Sequence, residues 1–192
     1  FMPRLLPDLD RVLYLDADVI AMASVAEVWS LNLGDHYFAA VTNAVPEYFS
    51  HRAEQLGVPG AAHYFNAGVA LWNLARLRQD PFEQKVLAYA RENREQLLWL
   101  EQDVLNALFY RQRLPLHPRW NCQNGIFFGA WGCGLLDPLE VEEARHSPGL
   151  LHFEGGSYGK PWHYLCTHPL RDEYAFHRGR TPWRFWVPEG LN

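Results

Sequence analysis

The segment Val12-Leu13-Tyr14-Leu15-Asp16-Ala17-Asp18 constrains this chain more than any other. Its apolar half reads as a buried strand, and it ends on two carboxylates spaced i, i+2, which share a face in extended backbone. Two charged, unpaired carboxylates at the end of a buried strand carry a large desolvation cost. A hard divalent cation removes that cost, and a carboxylate pair completed by substrate phosphates suits Mg²⁺ or Mn²⁺. By itself an Asp-x-Asp also fits a solvated turn after a strand. His152 adds a candidate third ligand. It closes a second apolar run, Gly149-Leu150-Leu151, and opens a Gly-rich loop leading to Lys160-Pro161-Trp162. An imidazole beside two carboxylates shifts the preference toward Mn²⁺. Alone, His152 equally fits a satisfied, half-buried histidine. Gly155, Gly156 and Gly159 allow backbone N–H groups to approach phosphate oxygens, and Lys160 supplies a point charge.

The rest of the chain alternates strand and helix patterns. Tyr37 to Val41 and Ala67 to Trp72 read as strands, joined by a polar connection from Asn43 to His63 with a short helix. Asp80-Pro81-Phe82-Glu83 reads as a helix start with Asp80 as cap and Pro81 in the first position. Phe82, Val86, Tyr89 and Ala90 then form an apolar stripe. A second helix is expected from about Gln102 to Tyr110, a polar link from Val141 to Ser147, a last strand from Gly149 to Phe153, and a helix near Pro169 to His177. This order argues an α/β architecture in one domain.

Composition removes several classes. The 192 residues are 48% apolar and 20% charged, which is globular and not disordered, and the net charge of −5 argues against a nucleic-acid partner. The longest apolar run, Ile126 to Leu136, is interrupted by three glycines and is too short to span a bilayer. No signal-peptide pattern is present. Cys122, Cys133 and Cys166 form no Cys-x-x-Cys pair and read as free thiols in a reducing compartment. Phosphatases of the haloacid-dehalogenase type also place Asp-x-Asp after an apolar strand. They need a downstream Lys and a paired-acid motif at a strand end, and the acidic pairs Glu142-Glu143 and Asp172-Glu173 lie in a polar stretch and in the terminal tail.

Five segments together resemble glycosyltransferase family 8. They are Leu13-Tyr14-Leu15-Asp16-Ala17-Asp18, Tyr64-Phe65-Asn66-Ala67-Gly68-Val69, Leu100-Glu101-Gln102-Asp103-Val104-Leu105-Asn106, Trp120-Asn121-Cys122-Gln123, and His152-Phe153-x-Gly155 with Lys160-Pro161-Trp162. Each is weak alone, but the ordered set covers nearly the whole chain. The resemblance, nearest in kind to bacterial lipopolysaccharide galactosyl- and glucosyltransferases, implies a GT-A-like mixed sheet flanked by helices. It implies a retaining transferase that moves a hexose from UDP-galactose or UDP-glucose to a saccharide or lipid-linked acceptor. Asp16, Asp18 and His152 would hold Mn²⁺ or Mg²⁺, and Gly155 and Lys160 would meet the donor phosphates. Asn66, Ala67, Gly68 and Asn43 would line the sugar and acceptor pocket, with Asn121 and Gln123 binding acceptor or fixing their loop. Gln102 would lie opposite the leaving group, with Glu101 on a donor-sugar hydroxyl. The resemblance further implies a cytoplasmic enzyme whose basic, aromatic tail, residues 163–192, contacts the inner face of the membrane.

Three departures accompany the resemblance. The His152-to-Lys160 spacing exceeds the shortest family form. Asn43 stands where relatives often carry Asp. Family members also carry a longer stretch before the Asp-x-Asp strand, which grips uracil and ribose. The chain is therefore expected to be the C-terminal part of a GT-A domain from a longer gene product. A fragment that no longer turns over and at most binds a partner is the non-enzymatic alternative.

Overall fold

The computed structural model describes residues 2–44, 49, 51–128 and 135–186. Cys133, part of the apolar run from Ile126 to Leu136, part of the 43–63 connection and the last residues of the tail lie outside them. Two sheets carry the fold. The larger has β1 (Arg11–Leu15), β3 (Phe38–Thr42), β4 (Phe65–Asn73) and β5 (Arg113–Pro115), in the order β1-β4-β3-β5. Its β1/β4 and β3/β4 pairs are antiparallel and β3/β5 is parallel. The smaller joins β2 (Val19–Ala21), β7 (Leu150–His152) and β6 (Cys122–Gln123), in the order β2-β7-β6. The longer helices are α1 (Phe82–Glu92), α2 (Leu100–Phe109), α3 (Pro138–His146) and α4 (Arg171–Arg178). Sheets of mixed direction flanked by helices agree with the α/β expectation.

Strand β4 is buried on both faces and separates two cores. Phe65, Ala67, Ala70 and Trp72 pack with Phe38, Phe82 and Phe109 on one side, where the rings of Phe82 and Phe109 stack at 5.1 Å. Val69 and Leu71 pack with Val28, Trp120 and Leu150 on the other. The change of face falls at Gly68-Val69. There the step from Ala40 to Thr42 on β3 is matched by the longer step from Ala70 to Phe65 on β4. A bulge of this kind lifts residues out of the ladder and re-aims them. Here it turns Asn66 and Gly68 toward the ends of β1 and β7, while the side chain of Ala67, expected to line the sugar pocket, stays in the first core.

Four local expectations are corrected. The strand β1 is not buried but lies at the sheet edge, with Tyr14 and Leu15 each 39% exposed. Asp80 does not cap α1. Its carboxylate accepts the hydroxyl of Tyr37 at 2.6 Å and the ammonium of Lys85 at 2.7 Å, and Pro81 takes the cap position. The expected polar link at Val141–Ser147 belongs to α3. Asp137 caps that helix by accepting the N–H groups of Leu139 and Glu140, Pro138 opens it, and Val141 and Ala144 supply its buried face. Helix α2 begins at Leu100, ahead of the expected Gln102.

Candidate active site

The carboxylates of Asp16 and Asp18 meet His152 where β1 and β7 end. Strand alternation does not bring the two aspartates together, because both follow β1 in the turn that leads to β2. Backbone bonds hold that turn: Asp16 N–H donates to Gly68 O at 2.8 Å, and Phe153 N–H donates to Asp18 O at 3.0 Å. Nε2 of His152 lies 3.2 Å from Oδ1 of Asp18 and 3.8 Å from Oδ2 of Asp16. One ligand atom from each of the three residues falls within 4.8 Å of the others. A Cβ on Gly68 would sit 2.4 Å from Cε1 of His152 and 2.5 Å from Oδ2 of Asp16. The glycine therefore leaves the space in which three donors converge. Two carboxylates and an imidazole in this spacing fit a divalent cation.

Lys160 reaches the same point. Its ammonium contacts Oδ2 of Asp18 and donates to Phe153 O at 2.8 Å. Burial works against the charge of Asp18, but the bonds from His152 and Lys160 outweigh it and hold the carboxyl well below the usual range. Tyr14, a residue not anticipated from the sequence, donates its hydroxyl to Oδ1 of Asp16 at 2.7 Å. That bond is the main reason its phenol is pushed up to about 12.

An open cavity of about 1010 Å³ adjoins the triad. Its polar wall includes Asn43, Asn66, Glu101, Gln102, Asn124 and Glu154, and Gly155 lies at its rim. Gly155 has a φ of +85°, which favours glycine. Leu98, Leu100, Phe128 and Leu165 form an apolar side. Asn121 and Gln123 do not reach the cavity; both are fully buried. Gln123 accepts Ala44 N–H at 2.8 Å and donates to Thr42 O at 3.0 Å, and Asn121 bonds Asn66 and His152. Of the two uses open to this pair, the structure supports fixing the loop.

Helix α2 delivers Glu101 and Gln102 through an anchored first turn. The buried carboxylate of Asp103 accepts the N–H groups of Leu98 and Trp99 at 2.7 and 2.8 Å, Nε and Nη2 of Arg52, and the hydroxyl of Tyr64. Burial opposes its charge, yet these donors, Arg52 foremost, keep its pKa lowered. Leu100, held in that turn, has a φ of +41°, the one positive value for a non-glycine among the described residues. Such strain in a γ-branched side chain persists only where surrounding bonds over-determine the backbone.

Glu154 and Asn124 also escaped the sequence reading. Glu154 is the unspecified residue after His152-Phe153, and its carboxylate accepts from Nδ2 of Asn66 at 3.1 Å. Burial pushes its carboxyl up to about 7, with His152 pulling down and Asp18 pushing up. Asn124 donates to Glu154 O at 2.6 Å and so braces the Gly-rich loop. Nothing in residue type or spacing marks either position.

Comparison with known proteins follows the same lines. The model for Glycosyl transferase family 8 matches residues 1–166. General stress protein A of Bacillus subtilis is 32% identical over 187 residues, covering 95% of this chain and 64% of that protein. A lipopolysaccharide 1,3-galactosyltransferase of Salmonella typhimurium is 27% identical, covering 91% of this chain and 50% of that protein. Among solved structures, galactosyltransferase LgtC in complex with donor and acceptor sugar analogs superposes with a TM-score of 0.80 at 27% identity. It covers 98% of this chain and 66% of LgtC. The chain thus spans between half and about two thirds of the length of these relatives.

Proposed function

The chain belongs to glycosyltransferase family 8, and from that premise we propose that it carries the metal, diphosphate and sugar sites of a retaining hexosyltransferase. The donor is a UDP-hexose, galactose or glucose, and the acceptor is a saccharide of a lipopolysaccharide or other surface glycan. The observation that carries this reading is the convergence of Asp16, Asp18 and His152 at the edge of the cavity that Gln102 and Asn66 line.

Asp16, Asp18 and His152 would hold Mn²⁺ or Mg²⁺, which when bound neutralises charge growing on the departing diphosphate. Lys160 and the N–H groups at Gly155 add fixed positive potential on the same oxygens. Asn66 and Asn43 form the wall against which the hexose lies, with Ala67 and Gly68 on the bulge of β4 behind them. Glu101 accepts from a sugar hydroxyl. Gln102 faces the anomeric carbon from the side opposite the leaving group. An amide is a poor nucleophile, and a double displacement needs a carboxylate at that point. The acceptor hydroxyl therefore attacks from the leaving-group face and passes its proton to the departing phosphate. The product keeps the donor's anomeric configuration.

Among the described residues no helix is long and apolar enough to cross a membrane. The tail exposes Phe176, Trp183, Phe185 and Trp186 beside Arg180 and Arg184. A surface of this type suits peripheral contact with the cytoplasmic membrane face near a lipid-linked acceptor.

Calorimetric titration of UDP into the chain, with Mn²⁺ and again with chelator, tests the reading. Binding that requires Mn²⁺ is the expected result. A folded sample that binds UDP in neither condition would instead support the alternative, an incompetent portion of a transferase. Asp16→Asn or Asp18→Asn is expected to remove the Mn²⁺-dependent part.

A further inference from the structure

We propose that Asn121 is a positioning residue that decides which nitrogen of His152 faces the carboxylate pair, a role that rests on the metal-site reading above. A backbone nitrogen can only donate. Gly68 N–H lies 3.0 Å from the side chain of Asn66, so the atom it meets is Oδ1. The other end of Asn66 is then its NH₂ group, and it donates to Oδ1 of Asn43 at 2.9 Å and to Glu154 at 3.1 Å. Oδ1 of Asn66 also sits 2.8 Å from Asn121, where only a donor fits, so Nδ2 of Asn121 points there. The oxygen of Asn121 is thereby turned to Nδ1 of His152, 2.9 Å away. An oxygen acceptor at that distance requires an N–H at Nδ1.

Nε2 is left as the nitrogen whose remaining valence faces Asp16 and Asp18. It can hold a proton against the carboxylates or a metal between them, while Nδ1 keeps its hydrogen in both states. Asn66, Asn121 and His152 are 5%, 0% and 2% exposed, so water does not compete for these bonds. Reversing one amide would set oxygen against oxygen at its neighbour and leave buried groups unpaired. The polarity of the chain is therefore fixed at Gly68, the same residue whose missing side chain leaves room for the His152 ring. A hydrogen bond of this kind on the far nitrogen orients a ligating histidine and raises its basicity, and losing it costs about 10- to 100-fold in metal affinity.

Two measurements on the full chain test the proposal. The ¹⁵N spectrum of the metal-free protein is expected to show a hydrogen on Nδ1 of His152. Titration with Mn²⁺ alone, followed by electron paramagnetic resonance, is expected to show at least about tenfold weaker binding in Asn121→Leu. Gln123→Leu is the control for a merely structural effect, because Gln123, the ladder neighbour of His152 on β6, is equally buried, yet its side chain bonds backbone groups of Ala44, Thr42 and Asn121 and not the His152 ring. It is expected to lower the melting temperature and leave the Mn²⁺ affinity unchanged. Asn121→Asp keeps an oxygen toward His152 but sets a second oxygen against Oδ1 of Asn66; it is expected to lower the melting temperature and still retain the Nδ1 hydrogen, which preserves the test should the leucine variant not fold. A bare Nδ1 in the wild type overturns the proposal, as does unchanged Mn²⁺ affinity in Asn121→Leu or an equal loss in Gln123→Leu. A wild type that shows the Nδ1 hydrogen but binds no Mn²⁺ overturns the metal reading, and the role of Asn121 falls with it.

Discussion

Oε1 of Gln102 accepts the backbone N–H of Ala67 at 2.9 Å. That bond fixes the amide's orientation, and Nε2 accordingly donates to the hydroxyl of Tyr64 at 3.3 Å. Tyr64 in turn donates to Asp103, so the chain of bonds ends on a buried carboxylate paired with Arg52. The side-chain carbonyl of Gln102 is already engaged, which leaves the second N–H of the amide as the donor it can present to the cavity. Gln102→Ala is expected to lower turnover about 10²-fold or more, the scale of one lost donor in a reacting site. Its UDP affinity is expected to stay near wild type. Equal loss of turnover and UDP affinity, measured by steady-state kinetics and calorimetry, would place Gln102 in the nucleotide site instead.

Gly68→Ala is expected to damage the metal site more than the fold. Its Cβ would fall well inside contact distance of both His152 and Asp16. The ring or the carboxylate must move, at an overpacking cost of about 1–3 kcal/mol. Mn²⁺ affinity is expected to drop by an order of magnitude or more, with a modest fall in melting temperature. A variant that binds Mn²⁺ like wild type would show that the triad tolerates a larger separation.

Lys160 contacts Asp18 on the side opposite His152 and so occupies part of the charge that a cation needs. Lys160→Met is expected to bind Mn²⁺ more tightly, by roughly tenfold, and to bind UDP more weakly once Mn²⁺ is saturating. Lys85→Met removes the same charge far from the site and is expected to change neither. If both variants behave alike in the Mn²⁺ titration, the effect is general electrostatics and not the Lys160–Asp18 contact.

His168 makes stability depend on pH. Its ring packs against Phe127 and Phe153, Nδ1 accepts the N–H of Leu170, and Nε2 has no partner among the described residues. Burial drives its pKa from 6.5 down to about 4. Between these values the unfolded chain binds a proton that the folded chain excludes, so stability falls as pH drops below 6.5 and levels off near 4. The loss from pH 7 to pH 5 is about 2 kcal/mol from this group. Urea denaturation at the two pH values measures it. His168→Asn keeps an acceptor for Leu170 and is expected to flatten that interval by a similar amount.

The residues that converge at the cavity were legible because they sit at strand and helix ends with recognisable neighbours. Asp16, Asp18 and His152 each follow an apolar run, and Glu101 and Gln102 open a periodic helix. The helix α3 was not legible, since Glu140, Glu142 and Glu143 outnumber the two apolar residues that it buries. Nor was the edge position of β1, because an apolar strand looks the same whether one neighbour or two flank it. Asp80 shows the limit of capping rules: a tertiary contact with Tyr37 drew its carboxylate away from the helix end.

The sequence by itself determined the alternation of strands and helices, the donor set for a cation and the family of the chain, because these depend on residue type and local spacing. The tertiary structure decided the direction of every bond from Gly68 to His152, the engagement of the Gln102 carbonyl and the retreat of Asn121 and Gln123 behind the cavity wall. Those properties arise from groups far apart in the chain, Asn66 with Asn121 and His152 with Asp18, brought within hydrogen-bond reach where water is excluded.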